Sequence, residues 1–360
     1  MCYTLALILK NITKTHNSYL ICNLNLYSFS IIIYKWFADL AGFIMVKDKI
    51  VRELEDLPGI GETTAEKMRA AGIDSLEKVA IANPHDLSEN FGMSVDAAKK
   101  AVQVAKESTT INYSTGAEVF EKRLILGKIS TGSDSLNDMI GGGIETNSIT
   151  ESYGKFSSGK TQLGFQLTVN AQQTREKSGL GGNVLFIDTE GTFRPERIKE
   201  IAKNSGLDPE EVLKNIIYVR AQTTEQQILT VERADKLIQE KNIKLIVVDS
   251  LTALFRAEFI GRGALGERQQ KLNMHIHKLQ SLSDKYDLAV YVTNQVMDNP
   301  GILFGDPTTP IGGNVMAHAA GTRLYMRKSK EDKRIVRLVD SPSMPEGECI
   351  IRITKDGVKG

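Results

Sequence analysis

The stretch "GKFSSGKT", Gly154 to Thr161, decides how this 360-residue chain is read. It fits G-x-x-x-x-G-K-[ST], a phosphate-binding loop. Small residues let backbone N–H groups turn inward around an anion, and the helix that follows adds the positive end of its dipole. Gly154, Lys155, Phe156, Ser157, Ser158 and Gly159 would form the cradle, with Gln162 just beyond on the helix. Lys160 would reach the β- and γ-phosphates, and the Thr161 hydroxyl would hold Mg²⁺. Upstream, "NSITESYG" (147–154) reads as a short strand; downstream, "TQLGFQLTVNAQQT" sets Leu163, Phe165, Leu167 and Val169 among good helix formers. Strand, loop and helix in that order are what the motif needs, and a chance Gly/Ser-rich match would not bring them. ATPases, GTPases, kinases and transporters all use the loop, so it names the ligand and not the task.

Composition narrows the rest. With 41% hydrophobic and 25% charged residues, the chain has an ordinary globular make-up, and its length allows two or three domains. A net charge of +1 excludes a generally basic nucleic-acid coat, so any DNA affinity must come from local clusters. Cys2, Cys22 and Cys349 are far apart with no metal spacing, which fits a reduced, cytoplasmic protein.

Residues 1–44 carry only Lys10, Lys14, Lys35 and Asp39 as charges. Their apolar run lacks the early positive charge of a signal peptide. Lys35 and Asp39 interrupt "FSIIIYKWFADLAGFIMV", which otherwise comes near the roughly 20 apolar residues of a membrane span. The segment reads as an atypical extension, with Met45 as the working start and an anchor or interaction segment as the alternative; no membrane association is expected.

Residues 45–108 have helical patterning centred on "LEDLPGIGETTAEKMRAAGI" (54–73), which resembles a helix-hairpin-helix. In that motif the glycines, here Gly59 and Gly61, expose backbone amides at a helix N-terminus, where a DNA phosphate can bind without base reading. A purely structural hairpin is the alternative. "NFGMSVDAAKKAVQVAKES" (90–108) is a weaker second copy, and residues 109–122 read as a linker or docking segment.

From residue 123 the pattern is α/β. "NVLFIDT" (183–189), "IKLIVVDS" (243–250) and "LAVYVTNQ" (288–295) are apolar strands separated by helical stretches, as in a mostly parallel central sheet covered on both faces. "TRLYMRK", "KRIVRLVDS" and "CIIRITKDG" read as strands closing one edge. Ligands gather at strand C-termini in such sheets. There Asp249 would hold Mg²⁺ through water, and Glu190 would orient the attacking water, with a helix cap or a salt bridge to Arg194 or Arg197 as the bland alternative. Asn294 and Gln295 close "YVTNQ", where an amide could sense a γ-phosphate. Phosphoryl transfer needs positioning and charge compensation, so few groups suffice.

Two long, glycine-containing segments follow. "FRAEFIGRGALGERQQKL" (255–272) spaces Arg256, Arg262 and Arg268 six apart, and "VMDNPGILFGDPTTPIGGNVMAHAAG" (296–321) is almost uncharged. Long loops beside an ATP site suit binding to a single-stranded DNA backbone, unless Glu258 and Glu267 simply neutralise the arginines.

"DTEGTFRPERI", "RGALGERQQKL", "VTNQV", "IGGNVMAHAA" and "LVDSPSMPEGECIIRIT", behind the helix-hairpin-helix unit, resemble the archaeal RadA recombinases, relatives of bacterial RecA. The likeness runs from Met45 to the C-terminus. It implies a RecA-like ATPase core over 123–360, with ATP and Mg²⁺ as cofactors. It also implies a homo-oligomeric helical filament on single-stranded DNA that pairs with homologous duplex, closed rings without DNA, and mediator proteins as partners. Lys160, Glu190 and Gln295 are then catalytic, Arg220 lies by the adenine, and residues 295 to 318 bracket the second DNA loop. Asp340 and Pro345 belong to a cap laid over a neighbour's ATP. Tyr113 and Gly116 in "YSTG" match a polymerisation segment that usually has Phe and Ala. Ser157 stands where the family has Gly, which is strained if φ there is positive. A ring-forming helicase or clock-type ATPase, and a paralogue that binds ATP without turnover, are the competing readings.

Overall fold

The computed structural model describes residues 51–109, 113–261, 263–298 and 308–360. The expectations for residues 1–44, for Arg262 and for the middle of the second long segment lie outside them. The chain divides into two units between Ser114 and Thr115.

In the first unit a short 3-10 turn, Leu54–Asp56, leads into α1 (Glu62–Ala70), α2 (Leu76–Ile81), α3 (Pro84–Phe91) and α4 (Val95–Ser108). Each boundary has a local cause. Ser75, Asn83 and Ser94 accept hydrogen bonds from the backbone N–H of Lys78, His85 and Ala97, which caps α2, α3 and α4. Pro84 sits at the first position of α3, where its missing N–H has no cost, and Gly92 ends that helix in the left-handed conformation. Leu54, Leu57, Ile60, Met68, Val79 and Leu87 close over Ala98, Ala101 and Ala105 of α4 to form a core of their own.

The second unit begins with α5 (Gly116–Leu124), which overlaps the stretch expected as linker or docking segment, and Thr115 and Glu118 form a reciprocal capping box at its start. In chain order there follow β1 (Lys128–Ile129), α6 (Asp134–Met139), β2 (Ile144–Glu145), β3 (Ser148–Tyr153), α7 (Lys160–Asn170), β4 (Asn183–Asp188), α8 (Pro195–Asn204), α9 (Pro209–Lys214) and β5 (Ile216–Arg220). Next are α10 (Thr224–Glu232), α11 (Ala234–Lys241), β6 (Ile243–Asp249), α12 (Ala253–Glu258), α13 (Leu265–Tyr286), β7 (Ala289–Asn294), β8 (Val296–Asp298), β9 (Thr308–Pro310) and α14 (Asn314–Ala319). The chain ends with β10 (Thr322–Lys328), β11 (Lys333–Asp340), β12 (Gly347–Thr354) and β13 (Gly357–Lys359).

The main sheet has the order β13-β12-β11-β10-β3-β7-β6-β4-β5. From β10 to β5 neighbouring strands are parallel; from β10 to β13 they are antiparallel, so the last three strands close the edge as their turn-rich sequence suggests. Along β4, Val184 and Phe186 pack into one layer with Leu245, Val247 and Tyr291, while Leu185 and Ile187 pack into the other with Ile246, Val248 and Val292. Both faces are buried, which is why these strands read as unbroken apolar runs. Helix α7 is buried on all sides from Leu163 to Asn170, so its sequence shows no amphipathic stripe.

Two expectations need correction. The segment carrying the three arginines is not a long loop: Arg256 stands on α12 and Arg268 in the first turn of α13, with only a short connection between. Gly261, Gly263 and Gly266 suggested irregular backbone, but the Ala, Leu, Glu and Gln around them are helix formers. The second segment likewise contains regular structure, since β8 pairs antiparallel with β9 and α14 follows.

Candidate nucleotide-binding site

Parallel strands β3, β4, β6 and β7 deliver their C-terminal ends to one cavity of about 750 Å³. Its floor is the loop from Gly154 to Gly159. Gly154 must be glycine because a Cβ there would collide with the carbonyl oxygen of Met326 on β10. Ser157 has φ = +64°, so the residue that departs from the family's glycine does occupy the left-handed region. Lys160 Nζ lies across the loop and donates to the Gly154 carbonyl (2.9 Å), the Lys155 carbonyl (3.1 Å) and Ser158 Oγ (3.3 Å). Burial pulls its pKa below the usual lysine value, and the carboxylates of Asp249 and Glu190 oppose that shift. The Tyr291 hydroxyl, from the middle of β7, donates to the Lys160 carbonyl at 2.9 Å and pins the start of α7.

Asp249 ends β6 and is 2% exposed. Thr161 Oγ1 (2.8 Å) and Thr192 Oγ1 (3.1 Å) donate to its Oδ2, and Thr293 Oγ1 donates to Oδ1. Burial raises the Asp249 pKa against these hydrogen bonds. A buried carboxylate that meets hydroxyls and no Lys or Arg ion-pair partner among the described residues is a fitting seat for a hard divalent cation. The described residues contain no cluster of three or more His, Cys, Asp or Glu side chains that could hold a metal. One carboxylate with hydroxyls beside it is a small donor set, of the kind a hard cation that keeps much of its water can use.

Glu190 is exposed at the cavity wall, just past β4. It accepts from Gln295 Nε2 at 2.7 Å, while Arg194 donates to the carbonyls of Gly191 and Phe193 and Arg197 is bound to Gln162, Glu200 and the Thr354 and Lys355 carbonyls. The turn that presents Glu190 is shaped by a residue sequence reading missed. Asp188, fully buried, accepts from the backbone N–H groups of Glu190, Gly191 and Thr192 on Oδ1, and from Phe193 N–H and the Tyr218 hydroxyl on Oδ2. Thr192, Arg194, Thr293 and Arg334 also line the cavity unannounced. Thr293 could have been found as a polar residue within "YVTNQ"; nothing near Arg334 marks it.

The structure thus brings together Gly154 to Gln162, Glu190, Asp249 and Gln295. Other expected residues stand elsewhere in the single chain. Arg220 ends the edge strand β5, donates to the Asp188 and Ala221 carbonyls and does not line the cavity. Asp340 and Pro345, at the end of β11 and in the turn before β12, are exposed and also outside it. Arg256 is exposed and Arg268 half-buried, and neither pairs with a described carboxylate. Glu258 instead accepts from Thr224 N–H, and Glu267 pairs with Lys271 at 3.1 Å. In the first unit Gly61 precedes α1 without a side-chain cap, whereas Gly59 packs against Ala97 of α4. Tyr113 is 89% exposed, and Gly116 opens α5, whose Val119, Phe120 and Leu124 are also exposed.

The Rad51 family model matches residues 122–360, which hold the main sheet and the cavity of the second unit. The chain belongs to the Rad51 family. Residues 51–107 match the SAM-like helix-hairpin-helix tandem. The DNA repair and recombination protein RadA of Aeropyrum pernix is 47% identical over 309 residues, covering 86% of this chain and 97% of that protein. Within this Rad51-family chain, no helix among the described residues is long and apolar enough to cross a membrane.

Proposed function

We propose that this chain is a cytoplasmic, ATP-dependent recombinase that forms filaments on single-stranded DNA, pairs it with homologous duplex and exchanges strands, hydrolysing ATP as it does so. The observation that carries the reading is the 2.7 Å contact between Gln295 and Glu190. It joins the carboxylate placed to orient water to the residue that opens the second DNA segment, so nucleotide state and DNA contact can inform each other.

The roles follow from the positions. The loop amides and Lys160 would hold the β- and γ-phosphates, and Lys160 would compensate charge that grows during phosphoryl transfer. Glu190 would align the attacking water, and Gln295 would exchange its bond to Glu190 for one to the γ-phosphate. Thr161 and Asp249 would hold Mg²⁺, which would supply charge neutralisation when bound. Arg256 and Arg268, without described carboxylate partners, would meet DNA phosphates.

The test is strand exchange between a circular single strand and a homologous linear duplex, with and without ATP. Joint molecules should form only with ATP and homology. Binding of ATP and DNA without any exchange product would leave the chain a non-exchanging relative and overturn the proposal.

A further inference from the structure

Beneath the cavity lies a carboxylate that the roles above do not use. Glu151 on β3 is 0% exposed, three residues before Gly154. Its Oε2 accepts from Arg323 Nε of β10 at 2.7 Å, and Arg323 is itself 8% exposed, its guanidinium 5.3 Å from the centre of the Tyr153 ring. Its Oε1 accepts from Asn294 Nδ2, also at 2.7 Å. Asn294 is fully buried. Its Nδ2 also donates to the Ile311 carbonyl (2.6 Å), and its Oδ1 accepts from Thr252 Oγ1 (2.6 Å). Ile311 N–H returns a bond to the Gln295 carbonyl at 3.0 Å.

We propose that Glu151 and Arg323, neither of which lines the nucleotide cavity, are positioning residues that couple DNA contact to ATP hydrolysis through Asn294. The inference rests on the recombinase reading. One amide, Asn294, is bonded to chain segments with different duties. It precedes Gln295, which holds Glu190. Thr252 is the N-cap residue of α12, which carries Arg256. Ile311 follows β9, and Glu151 belongs to the strand that ends in the phosphate loop. A backbone shift that carries Gln295 toward a γ-phosphate carries Asn294 with it, and Asn294 cannot move without disturbing Thr252 at the root of the arginine helix. The ion pair fixes the fourth side of this junction. As a stabiliser it is unremarkable, because two buried charges lose in desolvation much of what they gain by attraction. As a clamp it is effective, because a buried carboxylate with both oxygens engaged tolerates only one placement of the amide.

Glu151→Gln keeps the shape but turns one acceptor oxygen into a donor facing a donor. We expect affinity for a fluorescent ATP analogue and ATPase activity without DNA to stay within about twofold of wild type, while stimulation by single-stranded DNA falls about tenfold. Thr252→Val removes the bond to Asn294 and leaves the ion pair intact; it should also lower stimulation. The double variant should be no worse than Glu151→Gln alone, since both act through one amide. A merely structural role would lower the melting temperature and reduce basal and stimulated turnover in proportion, leaving their ratio unmoved. That proportional loss, or full stimulation in Glu151→Gln, overturns the proposal. If Glu151→Gln does not fold, Thr252→Val decides: retained stimulation overturns the coupling, and its loss supports it. A wild type that DNA does not stimulate would overturn the recombinase reading itself, and the coupling with it.

Discussion

Ser157 shows how a single backbone angle can be tested apart from the chemistry beside it. At φ = +64° an L side chain costs on the order of 1 kcal/mol, and the cost is greatest for β-branched residues. The side chain is exposed, so packing does not obscure the effect. Ser157→Val should therefore lower folding stability by about 1 kcal/mol or more, whereas Ser157→Asn should be nearly neutral because Asn tolerates the left-handed region. Equal denaturation midpoints for the two would show that the position is not held there. His275 makes a second case. It is 2% exposed, its Nδ1 has no partner among the described residues, and burial lowers its pKa to about 4. The unfolded chain takes up this proton near pH 6.5 and the folded one refuses it until about pH 4. Its contribution is thus fully present above pH 6.5 and declines as pH falls toward 4, by up to about 1.4 kcal/mol per pH unit. Urea midpoints measured from pH 7 to pH 4.5 should fall less steeply in His275→Gln than in wild type; parallel curves would refute the assignment.

The glycines before α1 and the arginines of α12 and α13 separate what sequence reading can reach from what it cannot. Both glycines in "LPGIG" fit an amide-exposing turn by sequence, yet they differ. Gly59 has φ = +78° and a Cβ there would stand 3.0 Å from Ala97 Cβ, while Gly61 has open space around it. Gly59→Ala should lower the first unit's thermal stability by about 1 kcal/mol or more, and Gly61→Ala should change it little. Similar melting curves for both would sink the distinction. For the arginines, phosphate binding predicts DNA affinity that falls steeply with salt and depends little on sequence. Arg256→Ala and Arg268→Ala should each weaken binding and flatten the salt slope, whereas Lys330→Glu should matter less; a salt-independent affinity would count against them. The phosphate loop was legible because its chemistry demands fixed residue types at short spacing. Strands β4, β6 and β7 were legible because burial on both faces leaves unbroken apolar runs. β5, an edge strand with Tyr218 and Arg220 exposed, has no such run and escaped notice. Asp188 and Glu151 escaped for another reason: their partners include Tyr218, Asn294 and Arg323, which only the folded sheet brings near.

The expected filament bears on how the cavity is covered. Lys160, Thr161, Glu190 and Asp249 line one cavity of a single chain. The "DSPSMPEG" turn, 340–347, exposes Asp340, Pro342, Ser343, Pro345 and Glu346, and it stands outside that cavity in its own chain. If it serves as a lid, it must serve a neighbour. Specific ATPase activity should then rise with protein concentration and with single-stranded DNA, since both favour filaments by mass action. A stronger test uses two dead proteins. Lys160→Ala removes the cation proposed for the phosphates, and Asp340→Ala/Pro345→Ala removes the proposed lid; each alone should be nearly inactive, because every site in a uniform filament carries the same defect. Mixed filaments contain a third kind of junction, in which the intact loop of a lidless subunit lies beneath the intact lid of a loop-dead one. At equal mixing about a quarter of junctions are of this kind if assembly is random, so activity should recover to a comparable fraction of wild type. A mixture that co-assembles on DNA and stays inactive would show that each chain closes its own site.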